Sequence, residues 1–242
     1  YDLKNDIESI TSKNKDDLQF PELYFFQPKK IWFLKNHILE AQYLSMVDDE
    51  IESDFESILN VEPAIKRSTG SIHFSPRWTK EDYVKKAQAI LDHIQRGDIY
   101  EVNFCQEFYA AGVEVNPLNV FQNLNSISQA PFSSFLRLEN YYALGASPER
   151  FLMKQSKKLT SQPIKGTSRR SKNKEEDEYL KTQLRIDSKE ISENIMIVDL
   201  VRNDMSKTAQ KASVLVEELC QVYTYKQVHQ MISTITSEVK AD

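Results

Sequence analysis

Three side chains in the middle of this sequence are of the types that acid–base, nucleophilic and metal chemistry need: Glu149, Lys165 and Glu193. Glu149 lies in Ser147-Pro148-Glu149-Arg150, where the proline restricts the local backbone. A carboxyl group there can protonate a leaving hydroxyl where burial favours the neutral acid. An ion pair or a solvent-facing turn is the competing role. Lys165 precedes Gly166, a residue that lets a ligand approach the backbone closely. An amine attacks carbon only when neutral, which burial, or the cations Arg169 and Arg170 if they lie close, would favour. An exposed loop lysine is the alternative. Thr167 adds a hydroxyl suited to a substrate oxygen or to stabilising a turn.

Glu193 begins the apolar stretch 195–201, and at about 100° per residue Glu190 and Asp204 share its helical face. Mg²⁺ takes oxygen ligands and keeps several waters, so one or two such glutamates suffice; a solvated acidic face has the same pattern. His229 stands alone among β-branched residues, the setting of a satisfied core histidine or of a ligand contact. His37, His73 and His93 form no cluster, which argues against a zinc hydrolase. The five glycines are isolated, so there is no glycine-rich phosphate loop.

The whole chain sets bounds on these possibilities. Its 242 residues supply one large or two small domains, 40% hydrophobic and 28% charged, as in a soluble protein. A net charge of −5 argues against nucleic-acid binding, and no apolar run is long enough to span a membrane. The basic cluster Arg169, Arg170, Lys172, Lys174 is followed by acids and reads as a solvated loop. Cys105 and Cys220 are far apart and read as buried apolar fillers in a reducing, cytoplasmic compartment.

The elements that must position these groups follow from periodicity and punctuation. Leu23-Tyr24-Phe25-Phe26 and Ile31-Trp32-Phe33-Leu34 read as hairpin strands with Pro28 in the turn, followed by a strand over 38–46 and a helix over 48–59. Residues 63–76 read as a linker, which divides an N-terminal part, about 1–76, from a second part, about 77–242. Thr79 caps a helix over 80–96, with Asp82 as a variant capping box and Gly97 as the stop. The alternation over 100–108 predicts a strand, and Pro117 opens a helix to about Ser128. Strands are expected over 132–138, 141–146, 158–161, 214–222 and 228–239, the last with a helix as the alternative. A long helical pattern over 174–205 breaks near Asp187-Ser188. Connections too short for crossover helices predict an α+β fold with largely antiparallel sheets.

Five segments in order, GDIYEVNF (97–104), SPERF (147–151), PIKGT (163–167), ENIMIVDLVRND (193–204) and VHQMIST (228–234), resemble the chorismate-utilising enzymes. Within that family they are most similar to the aminodeoxychorismate synthase component I (para-aminobenzoate synthase) group. The resemblance implies two antiparallel sheets packed together, helices outside and a cleft between them. It implies that chorismate binds with Mg²⁺ on its carboxylate and Glu193 as a metal ligand. Glu149 then acts as general acid, Lys165 adds covalently to the ring, and Gly166, Thr167 and His229 lie against substrate. Ammonia from a glutamine amidotransferase subunit displaces the lysine to give 4-amino-4-deoxychorismate for folate synthesis. Anthranilate synthases are similar throughout but usually carry alanine in place of Lys165. Isochorismate and salicylate synthases use a lysine base in place of Glu101, where glutamine is usual in the closest group. The family also extends beyond both ends of this sequence and carries a further metal-ligating glutamate downstream. The resemblance therefore implies a central part of an enzyme, inactive by itself, or else a non-catalytic chain that keeps the amidotransferase-binding fold.

Overall fold

The computed structural model describes residues 7–9, 14–62 and 71–240, which fall into two compact units. One unit comprises 1–67 with 139–141, and the other 68–138 with 142–242.

In the first unit β1 (Lys30–Lys35) pairs antiparallel with β2 (Ile38–Tyr43), so that Lys35 opposes Ile38 across the two-residue turn Asn36-His37. Both turn residues have positive φ, 51° and 63°, as a type I′ hairpin turn requires. The hairpin thus lies one segment later than the sequence predicts. Pro28 cannot adopt positive φ, and residues 23–26 form no strand. A short 3₁₀ turn (Asp48–Glu50) leads into α1 (Ile51–Leu59), as expected. Trp32 stacks on Phe55, and Lys30 bonds Glu50 and Asp54 at 2.5 Å each.

The second unit begins, among the described residues, with β3 (Ser75–Pro76), inside the expected linker, whose residues 63–70 lie outside those described. α2 (Lys80–Arg96) has the predicted ends. Thr79 Oγ1 accepts from the Asp82 N–H at 3.1 Å, and Gly97 closes the helix at φ +79°. The alternating segment after it is not a strand over 100–107. Only β4 (Phe108–Tyr109) pairs, and with β3 alone. Alternation specifies faces, but a strand also needs a neighbouring edge for its N–H and C=O groups. The segment is instead fastened by side chains: Phe104 stacks against Trp78 and Tyr83, and Gln106 exchanges hydrogen bonds with the Trp78 backbone in both directions. The same loss of pairing leaves Cys105 exposed, not buried as expected. α3 (Pro117–Ser128) starts from the Asn116 cap, and β5 (Phe132–Leu138) pairs with β6 (Tyr141–Ser147).

The site depends on the five-stranded antiparallel sheet of β7 (Arg150–Gln155), β8 (Lys158–Gln162), β9 (Ile164–Arg169), β10 (Leu215–Thr224) and β11 (Val228–Glu238). β11 is central. β10 runs along one edge, while β8 pairs with its C-terminal half and β9 with its N-terminal half on the other. α4 (Lys174–Ile186) and α5 (Ser188–Ser206) meet at Asp187, the predicted break, whose carboxylate caps α5 by accepting from the Lys189 and Glu190 N–H groups. Leu159, Val198, Met205 and Ile235 form the buried core where α5 meets the sheet, with Val201, Val214 and Val239 against it. The α+β class with antiparallel sheets is the one predicted. β7 and β9 are strands that periodicity did not reveal.

Ile235 is wholly buried and Phe151 is 87% exposed. Ile235→Ala is therefore expected to lower stability by about 2–5 kcal/mol, and Phe151→Ala to cost far less, in urea unfolding. Equal losses would contradict this assignment of the core.

Candidate active site

Lys165 is placed by an irregularity in β9. Along the β9–β11 ladder Thr167 opposes Gln230 and Ile164 opposes Ile232, so Lys165 and Gly166 together face the single residue Met231. This is a β-bulge, and Gly166 carries it at φ +90°. A Cβ at Gly166 would stand 3.1 Å from Glu190 Cβ and 3.3 Å from Leu184 Cδ1, so both helices press against the bulge. Lys165 is not a free loop lysine: its ammonium donates to Glu101 Oε1, with the two side chains only 24% and 21% exposed. Its backbone carbonyl accepts from Asn194 Nδ2 at 3.4 Å, and the same amide bonds the Met231 carbonyl at 3.2 Å. Asn194 Oδ1 in turn accepts from Ser233 Oγ. The cations expected to assist Lys165 are otherwise engaged, Arg169 with Glu176 and Arg170 with Asp177.

Glu149 lies between β6 and β7 in a turn closed by its own N–H to Ser147 Oγ at 3.1 Å. Its Oε1 accepts from the Ile164 N–H at 3.1 Å, which ties the carboxylate to the residue before Lys165. The Glu149 side chain is exposed. Glu190 and Glu193 converge on one cation, with Lys189 Nζ 3.2 Å from Glu190 Oε1 and 2.9 Å from Glu193 Oε1. Asp204, on the same predicted face, pairs instead with Lys207. Among the described residues no three His, Cys, Asp or Glu side chains cluster as a metal site.

His229 has the satisfied-core role. It is 1% exposed, with Nε2 3.0 Å from Asp177 Oδ1 and Nδ1 2.9 Å from Thr224 Oγ1. An ionised Asp177 only accepts, so Nε2 donates to it, and Nδ1 pairs with the Thr224 hydroxyl. Both nitrogens are therefore used within the protein, which corrects the expected contact with substrate. Alternation along β11 turns the next residue, Gln230, to the opposite face, across from exposed Thr167. Its Oε1 is buried and has no hydrogen-bond partner among the described residues. Sequence reasoning missed Gln230 and Asn194, although both stand inside segments it singled out. A glycine within a strand was the one available sign of the bulge.

Arg170 above all, then the Ser171 N–H, hold the Asp177 carboxyl well below the usual carboxylate range. Ser171 and Arg169 lower Glu176 as well. A carboxylate lowered on folding adds stability above its unfolded pKa, about 3.9, and loses it as pH falls toward the folded value. Wild-type urea midpoints should therefore drop below about pH 4, and Asp177→Asn should reduce that slope while lowering stability at neutral pH. Parallel pH curves for the two proteins would refute it. Gly166→Ala is expected to cost about 1–3 kcal/mol in thermal unfolding, since alanine must take a left-handed φ while crowding Glu190. An unchanged melting temperature would contradict the bulge.

Residues 1–242 match the family described as chorismate binding enzyme. Aminodeoxychorismate synthase component 1 of Escherichia coli (strain K12) is 39% identical over 161 residues, 66% of this chain and 35% of its own length. The protein of the same name from Klebsiella aerogenes is 30% identical over 241 residues, all of this chain and 53% of its own length. Anthranilate synthase component 1 of Acetivibrio thermocellus is 27% identical over 263 residues, all of this chain and 53% of its own. Among solved structures, anthranilate synthase component I from Streptococcus pneumoniae TIGR4 has the same fold. Its TM-score is 0.85 at 22% identity, covering 100% of this chain and 56% of that one. The chain thus spans about half, or less, of the length of these relatives.

Proposed function

Because the chain belongs to the chorismate binding enzyme family, we propose that the full-length protein converts chorismate and ammonia to 4-amino-4-deoxychorismate, the precursor of para-aminobenzoate. The observation that carries this reading is Lys165, held at a bulge beside a carboxylate and one residue from the backbone N–H that anchors Glu149. An amine and an acid so placed fit addition of nitrogen to a ring as a hydroxyl departs. Lys165 adds to the ring, Glu149 delivers a proton to the leaving hydroxyl, and ammonia then displaces the lysine. The ammonia comes from a glutamine amidotransferase partner. Relatives named aminodeoxychorismate synthase component 1 support the reading at 39% and 30% identity.

Mg²⁺ fits the pair Glu190 and Glu193, whose oxygens already converge on the Lys189 ammonium. Lys189 is 69% exposed and free to swing away, and two carboxylates with water and a substrate oxygen complete a hard-cation shell. The bound ion would neutralise a substrate carboxylate. Glu193 and Glu190 hold it, while Lys165, Glu149 and Thr167 act on the ring.

Anthranilate synthesis is the second reading, supported by relatives of that name. Incubation of the full-length protein with chorismate, Mg²⁺ and ammonia, followed by chromatography, separates the two. The expected product is 4-amino-4-deoxychorismate, and anthranilate would overturn the proposal. Lys165→Ala should abolish the covalent adduct seen by mass spectrometry, and undiminished turnover would remove Lys165 from the mechanism.

A further inference from the structure

The side chain of Lys165 carries the amine, but its backbone decides where that amine stands. We infer that Asn194 is a positioning residue for the reaction: by holding the Lys165 carbonyl it keeps the bulge, and with it the amine, in fixed relation to a substrate bound beside α5. This rests on the reading that Lys165 adds to the substrate ring.

A β-bulge disrupts the ladder where it forms, so Lys165 and Gly166 need support from outside the strand pair. That support comes from α5. Asn194 is 1% exposed, and its Nδ2 donates to the carbonyls of Lys165 on β9, at 3.4 Å, and Met231 on β11, at 3.2 Å. These two residues face each other across the bulge. Asn194 Oδ1 accepts from Ser233 Oγ and from Cys220 Sγ at 3.6 Å. The Cys220 N–H donates to Ser233 Oγ at 2.9 Å, which leaves the hydroxyl hydrogen for Asn194. The partners therefore fix the orientation of the amide, since turning it over would set its oxygen against two carbonyls.

The same helix face also presses on the bulge by contact. Glu190, at i−4 from Asn194, has its Cβ 3.1 Å from where a Gly166 Cβ would stand. One turn of α5 thus seats both halves of the bulge, Gly166 through Glu190 and Lys165 through Asn194. Glu193 stands between them in sequence and is a carboxylate proposed to hold the cation on the substrate. The lysine stem is flexible, so Glu101 steadies the ammonium while the backbone anchor sets its reach. A shift of about 1 Å at a reacting group costs on the order of 100-fold in rate.

In the full-length protein, Asn194→Asp keeps the shape and the acceptor for Ser233 but loses the donor. Asn194→Ala removes the amide without burying a charge, and reads the same question should the aspartate variant fold poorly. Either should lower kcat and the rate of Lys165 adduct formation in quenched mass spectra by about 10- to 100-fold. KM for chorismate, and the Mg²⁺ concentration that half-saturates a thermal-shift titration, should stay within about twofold of wild type. Ile235→Ala weakens β11 away from the bulge, where it opposes Ser161. It should melt at a lower temperature yet form the adduct at the wild-type rate. A wild-type adduct rate in the Asn194 variants, a raised KM with kcat unchanged, or equal slowing in Ile235→Ala would overturn the role of Asn194 and leave that of Lys165 standing. A wild-type protein that forms no adduct would overturn both.

Discussion

The pairing of β11 along both of its edges is the constraint from which the rest of the second unit follows. β10 takes one edge and β8 with β9 the other, so the strand lies in the interior, with Met231 and Ile235 at zero exposure. Its hydroxyl residues are buried too and need partners. Ser233 bonds Asn194, Thr234 bonds Glu218 and Thr236 bonds Glu217. Asn194 carries this satisfaction across to the helical layer, since one side-chain amide of α5 bonds the carbonyls of Met231 on β11 and Lys165 on β9. The backbone of the candidate nucleophile is thereby fixed to the most buried strand of the unit, which is how a flexible side-chain type becomes a positioned one.

Electrostatics around this frame is local and largely compensated. Arg169 and Arg170 answer to Glu176 and Asp177, and Asp177 also receives His229 from within the core. These cations thus serve the start of α4 and leave Lys165 to its own carboxylate. The acids of α5 follow a different logic. Glu190 and Glu193 share the exposed Lys189 ammonium.

What the sequence made legible was local in origin. Thr79 and Gly97 delimit α2 because caps are satisfied within a few residues, and Asp187 divides α4 from α5 for the same reason. β11 was legible from its run of branched residues. The motifs that suggested chemistry around Lys165, Glu149 and Glu193 proved to lie on adjoining elements. Errors arose where the deciding partner was distant or the turn chemistry was subtle. Asn36-His37 displaced the first hairpin because two consecutive positive φ angles are hard to read from a sequence without glycine. Residues 100–107 alternated properly but had no edge to join. The contacts of Glu101 with Lys165 and of Asn194 with two carbonyls depend on tertiary register, which no window of sequence contains. His229 and Gln230 differ by one position, and only the pleat decides which of them faces the helices.

The bulge at Lys165 and Gly166 also constrains how this site can change. It is a phase slip of one residue between two stretches of β9 that otherwise share a register with β11. Substitutions alter what the slip displays, but they do not remove it. A one-residue deletion would bring the two stretches back into step and remove the extra residue that the slip sets opposite Met231. The lysine and the register are therefore inherited as a single unit. The side chain at this position can be exchanged with the bulge intact, while losing the position itself would straighten the strand and erase the displayed site.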